Sequence, residues 1–115
     1  MVAADVQAVT DEQLRAVYVD APLGVMVTRS ASRALLQGLL EQASELGVSI
    51  HVFFTDDAVS LLSDTEWVDN LPEGSYAACD VSAQRLNVHP SSRVVMGGQY
   101  QNAIMVRDAA RVVTL

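Results

Sequence analysis

Cys79 is the one strong nucleophile in a chain without lysine; Asp80 follows it directly, and Arg85 comes six residues later. A cysteine reacts as its thiolate, so its chemistry depends on what lowers its pKa. A helix N-terminus lowers it, and so does a cation such as Arg29 or Arg85, whereas the Asp80 carboxylate opposes it. Two readings stand side by side: an accessible, activated thiol, or a small buried hydrophobe. Without lysine the chain can form no Schiff base and has no P-loop lysine and no lysine general base. One cysteine forms no intramolecular disulfide, and Cys79 with His51 and His89 gives only three of the four soft ligands of a structural zinc site. A tetrahedral metal site would need a carboxylate or another subunit as well.

The other candidates have stronger structural explanations. Gly97-Gly98 would let backbone amides approach an anion, which makes a nucleotide- or anion-binding module a third and weaker reading. The pair lacks the spaced glycines of a dinucleotide motif, and a tight turn accounts for it. Asp56 and Asp57 look like paired carboxylates, yet adjacent residues diverge on a helix, and first-turn capping explains both. His51 falls within a strand pattern as a core or interface histidine, and His89 beside Pro90 reads as a solvated turn residue, so no Cys–His pair is supported. Trp67 falls in an expected loop, where packing back onto the core ranks above anchoring a partner.

These residues need elements to hold them. The apolar run at 23–28 lacks polar alternation and reads as a buried strand of a parallel sheet, and 48–54, 76–79, 93–96 and 112–115 read as the further strands. Between the first two, Ser30 or Ser32 caps a helix carrying Ala31, Leu35, Leu39, Gln42, Ala43 and Leu46 at helical spacing, and Gly47 takes the left-handed position after it. Thr55 caps a second helix opening with Asp56 and Asp57. Residues 81–86 form a third, ended by Asn87, and a fourth runs through Ala103, Ile104, Val106 and Ala109. Before all of these, Thr10-Asp11-Glu12-Gln13 has the form of a capping box opening a short helix through Leu14 and Val17, although Val17-Tyr18-Val19 also suits a strand. Alternating strands and helices predict a single-domain, three-layer α/β/α fold of flavodoxin-like type with a mostly parallel sheet of about five strands. Residues 1–21 are an extension, and 22–115 form the domain. In such folds sites gather at the carboxyl ends of the strands, which points to residues 28–30, 55–57, 79–80 and 97–99.

Composition narrows the partners. Of 115 residues half are hydrophobic and 18% charged, which suits one core and excludes disorder, and the net charge of −7 repels nucleic acid and anionic membranes. No apolar run reaches a membrane span, and the first residues lack a positive signal-peptide region, so a cytoplasmic protein with a reduced cysteine is expected.

Residues 25–30 (VMVTRS), 52–59 (VFFTDDAV), Cys79 with Arg85, and the terminal strand at 109–115 resemble the DsrE/DsrF/TusD-like family of small sulfur-relay proteins, over about Gly24 to Leu115. Residues 79–88 are similar to that family's reactive strand end, with Asn87 where glycine is usual and Asp80 as a charged departure. The resemblance implies that Cys79 accepts sulfane sulfur as a persulfide and passes it to a cysteine of a small carrier protein, without cofactor or metal, with Arg29, Asp80, Arg85, Gly97 and Gly98 around it. It also implies a homo- or hetero-oligomer, a trimer or hexamer. Because the family includes subunits without a working cysteine, a non-catalytic interaction subunit is the alternative.

Overall fold

The apolar runs become five strands in the computed structural model, which describes residues 23–115. They are β1 (Leu23–Val27), β2 (Ile50–Phe54), β3 (Ser75–Cys79), β4 (Val94–Gly97) and β5 (Arg111–Thr114), all parallel, in the order β4-β3-β2-β1-β5. Between them lie α1 (Arg33–Glu45), a 3₁₀ segment (Asp56–Ser63), α2 (Thr65–Asp69), α3 (Asp80–Leu86) and α4 (Gln99–Asp108).

Connection handedness decides which face each helix covers. The steps β1 to β2, β2 to β3 and β3 to β4 all move the same way, so right-handed crossovers place their helices on one face. That face carries the main core, where Val25, Val27, Val52, Phe54 and Ala78 meet Leu36 and Leu40 of α1, Leu62 of the 3₁₀ segment, Val68 of α2 and Ala83 of α3. The return from β4 to β5 reverses direction and puts α4 on the opposite face. There Met105 packs with Phe53 and Cys79, flanked by Met26 and Ala77. The result is a single three-layer α/β/α domain, as the sequence pattern predicts.

Local chemistry ends the helices as expected. Gly47 has φ +70°, and the amides of Gly47 and Val48 donate to the Ser44 and Ala43 carbonyls at 3.1 and 2.9 Å. Asn87 repeats the motif at φ +55°, its amide and that of Val88 donating to Gln84 and Ala83 at 3.2 and 2.9 Å. Asparagine tolerates this conformation better than other side chains.

Several local expectations are corrected. The buried stripe of α1 is Leu36, Leu40 and Ala43, whereas Leu35 is 63% exposed, so the inward face lies one residue on from the Leu35–Leu39 spacing. Neither serine caps α1: Ser32 stands at its start without a capping hydrogen bond, and Ser30 belongs to a preceding 3₁₀ turn (Ser30–Ser32) and bonds to Asp57 instead. Thr55 likewise makes no cap, and the segment after it is 3₁₀ rather than α. Trp67 lies in α2, not a loop. Its indole donates to Gln37 Oε1 at 2.7 Å, its ring meets Phe54 edge-on with centroids 6.5 Å apart, and Arg33 sits 4.7 Å over it. Gly97 does not break β4 but is its last residue. The helix expected at Thr10 and the 1–21 extension lie outside the described residues.

Candidate functional site

Adjacent parallel strands whose following helices diverge to opposite faces leave a crevice at their carboxyl ends. In this sheet β3 leads to α3 on one face and β4 leads to α4 on the other. The residues paired at that point are Cys79 and Gly97.

Cys79 is the last residue of β3 and stands at the N-cap position of α3. It is 7% exposed and belongs to the smaller core with Phe53 and Met105. Its side chain makes no cap hydrogen bond as a neutral thiol. Burial pushes its pKa up, but the donors around the sulfur outweigh this and hold the thiol below its ordinary value: the Ser82 hydroxyl and amide, the Val81 amide and the Thr55 hydroxyl. Val81 and Ser82 are the second and third residues of α3, whose amides have no intrahelical acceptor, so a thiolate at the N-cap satisfies them.

Ser82 and Thr55 are both buried. The Ser82 oxygen accepts a hydrogen bond from the Asp56 amide at 3.1 Å, which orients the hydroxyl. Asp56 supplies that amide from a left-handed backbone, φ +53°, unusual for a non-glycine residue. The turn after β2 is thereby fixed to the helix after β3.

The remaining candidates form the rim. Asp57 accepts from the Ser30 hydroxyl at 2.6 Å and the Ser30 amide at 3.1 Å, joining the turns after β1 and β2. The Ser30 hydroxyl and amide, with the more distant charge of Arg85, hold its carboxyl below the usual range. Arg85, in the last turn of α3, thus acts on Asp57, while the thiol is served by neutral donors rather than by Arg29 or Arg85. Arg29 is exposed before the 3₁₀ turn, and Asp80 is the exposed first residue of α3, where a carboxylate complements the helix dipole. Asp80 also lines a shallow groove of about 400 Å³ with Ala83, Gln84, Asn87, His89 and Met96, along the outer side of α3. Gly98 is the N-cap of α4 at φ −108°, and a Cβ there would meet nothing within 4 Å, so neither conformation nor crowding requires glycine.

The structure brings together Cys79, Asp80 and Gly97 and sets Gly98 next to them. Arg85 lies in the last turn of α3, away from the thiol at its start. His51 lies at the amino end of β2, remote from the thiol, and His89 is exposed beyond α3. Among the described residues no group of three or more His, Cys, Asp or Glu side chains is placed to hold a metal ion, and no helix is long and apolar enough to cross a membrane. The groups beside the thiol that sequence reasoning did not connect with it are Ser82 and Thr55, the latter read only as a helix cap at a strand end. The available signal was spacing, since Ser82 is the N3 residue of the helix that Cys79 caps.

No protein-family model and no curated protein matches the chain. The reading of the site therefore stands on its own residues.

Proposed function

We propose that the chain is a sulfur-relay protein that carries sulfane sulfur on Cys79. The observation that supports this most is the set of neutral donors, Ser82, Val81 and Thr55, that favours the Cys79 thiolate at the carboxyl end of β3. In the forward step the thiolate attacks the outer sulfur of a donor persulfide, the S–S bond of the donor breaks, and the donor leaves as a thiolate. In the second step an acceptor cysteine thiolate attacks the outer sulfur of the Cys79 persulfide, and Cys79 leaves as a thiolate. The two exchanges balance without an oxidant, cofactor or metal. A low-pKa thiol serves both as attacking group and as leaving group. The acceptor is a small carrier protein in the cytoplasm, and the chain works as a homo- or hetero-oligomer, a trimer or hexamer, with Arg29, Gly97 and Gly98 on the side the partner approaches.

The test is the intact mass after incubation with polysulfide, with Cys79→Ser as control. The proposal expects a gain of about 32 Da per sulfur, reversed by reductant and absent from the variant. A mass that does not change overturns it.

The 7% exposure of Cys79 favours a second reading, a non-catalytic subunit whose cysteine is packing. That reading expects iodoacetamide to react slowly with the native protein and fast with the denatured one.

A further inference from the structure

We infer that the outer edge of β4 pairs antiparallel with the same edge of a second copy about a two-fold axis, joining two sheets into one. The inference is independent of the sulfur-transfer reading. Among the described residues β4 and β5 are the two edges of the sheet. β5 carries the charge of Arg111, whereas residues 94–98 (VVMGG) carry none. The cation just before them, Arg93, is turned away onto the carbonyls of Val68, Asp69 and Pro72. Monomeric proteins usually guard a sheet edge with charge. Here the strand is apolar and open on both faces: Val95, on the α4 side, is 56% exposed, and Met96, beside the groove along α3, is 40% exposed.

The backbone selects the partner. The Leu23 amide donates to the Ser49 carbonyl and the Thr55 amide to the Val27 carbonyl, so Leu23, Val25 and Val27 direct their polar groups to β2. Carried through the register of β1 to β4, that alternation bonds Val95 and Gly97 to β3 and turns Val94, Met96 and Gly98 outward. The Val94 amide agrees, donating back to the Ser91 carbonyl at 3.0 Å. The outer edge therefore offers the Val94 carbonyl, the Met96 amide and carbonyl, and the Gly98 amide, a pattern that complements itself when reversed. With Met96 on the axis, each Met96 amide donates to the other copy's Met96 carbonyl, and each Gly98 amide to the other copy's Val94 carbonyl. Val95 then stands across from Gly97 of the second copy, where no side chain crowds it. The charges fit the same register. Arg93 of one copy and Asp80 of the other come about 10 Å apart, two strand spacings, while the two Arg93 residues stay about 20 Å apart along the strands. At ordinary salt the attraction acts within about one Debye length and the repulsion is screened.

Sedimentation and hydrogen exchange on the full-length protein test this. The wild type should sediment as an even-numbered assembly. Met96→Arg, which sets like charges directly opposite each other on the axis, should halve its mass, and Val112→Arg on the β5 edge should not. An outward Met96 amide exchanges freely in a monomer, so in the assembly it should exchange at least about tenfold more slowly than in an unstructured peptide. In a Cys79→Ser background, Met96→Cys should crosslink two chains under oxidised glutathione, since hydrogen-bonded partners have Cα atoms about 5.5 Å apart, within disulfide reach. Val112→Cys in the same background should not. A monomeric wild type, a Met96 amide exchanging at the peptide rate, or an assembly that survives Met96→Arg overturns the inference. Should Met96→Arg unfold the protein, wild-type exchange and the crosslink still decide.

Discussion

The Asp56 amide donates to the Ser82 hydroxyl oxygen at 3.1 Å, joining the turn after β2 to the first turn of α3. This bond gives the Ser82 hydroxyl one fixed acceptor role and leaves its proton for the Cys79 sulfur.

Ser82→Ala therefore removes a donor to the thiolate and leaves the Asp56 amide without its partner. A hydrogen bond to a charged group favours the charged form, so the pKa of Cys79 should rise. The check is the pH profile of iodoacetamide alkylation. In the wild type the thiolate forms below the ordinary thiol range, and the profile of the variant should move to higher pH. Thr55→Val should move it in the same direction by less, because Thr55 is the weakest of the donors.

Asp57 gives a stability dependence whose sign is fixed by Ser30. Its folded pKa lies below 3.8, with the Ser30 hydroxyl as the largest cause. A carboxylate depressed in this way stabilises the fold at pH values above its ordinary pKa, and that contribution is lost as pH falls through the folded value. The melting temperature of the wild type should exceed that of Asp57→Asn at neutral pH, and the gap should close below pH 3.8. Because Asp57 is exposed, the gap should also narrow in salt.

Arg93 holds the loop before β3. Its guanidinium donates to the carbonyls of Val68 at 2.8 Å, Asp69 at 3.2 Å and Pro72 at 2.7 Å, and lies 4.9 Å over the Tyr76 ring. Lysine keeps the charge but not the planar fork, so Arg93→Lys should lose about 1–2 kcal/mol in urea denaturation. A stability of Arg93→Lys equal to that of the wild type would show that the fork contributes little.

Two glycines should respond oppositely. A Cβ on Gly74 would stand 2.6 Å from Ile50 Cγ1 and 3.1 Å from the Ile50 carbonyl oxygen, and Ile50 is buried, so Gly74→Ala should cost about 1–3 kcal/mol. Gly98→Ala meets open space and should change the melting temperature little. A large loss at Gly98 would mean that glycine is needed there after all.

The strands, the order of elements and the two left-handed helix ends were legible because each rests on local chemistry: continuous apolar runs, Gly47 and Asn87. The phase of α1 was not, since Leu35 and Leu36 are both leucines and only the direction of the crossover decides which one faces the sheet. Cys79 could be placed at a strand end from sequence, but the sign of its pKa shift could not. Asp80, adjacent in sequence, faces solvent, while the groups that act on the sulfur include Thr55, 24 positions away and brought close only by the pairing of β2 with β3. Trp67 reads as loop from sequence because Pro72 and Gly74 dominate its neighbourhood, although Asp64 accepts the Trp67 amide at 3.1 Å and starts a short helix there.

The sheet order has a consequence for biosynthesis. Strands β1 to β4 pair each with the one before, so this part can assemble progressively as the chain leaves the ribosome. The outer edge of β1 is different: it waits for β5, and the closing bond from the Thr28 hydroxyl to the Leu115 carbonyl joins residues 87 apart. Until residues 111–115 emerge, β1 presents a row of unpaired amides and carbonyls, a template for joining another nascent chain. A stop codon or proteolytic cut just before Arg111 would remove few core side chains and still leave the central strand β1 as an unpaired, aggregation-prone edge.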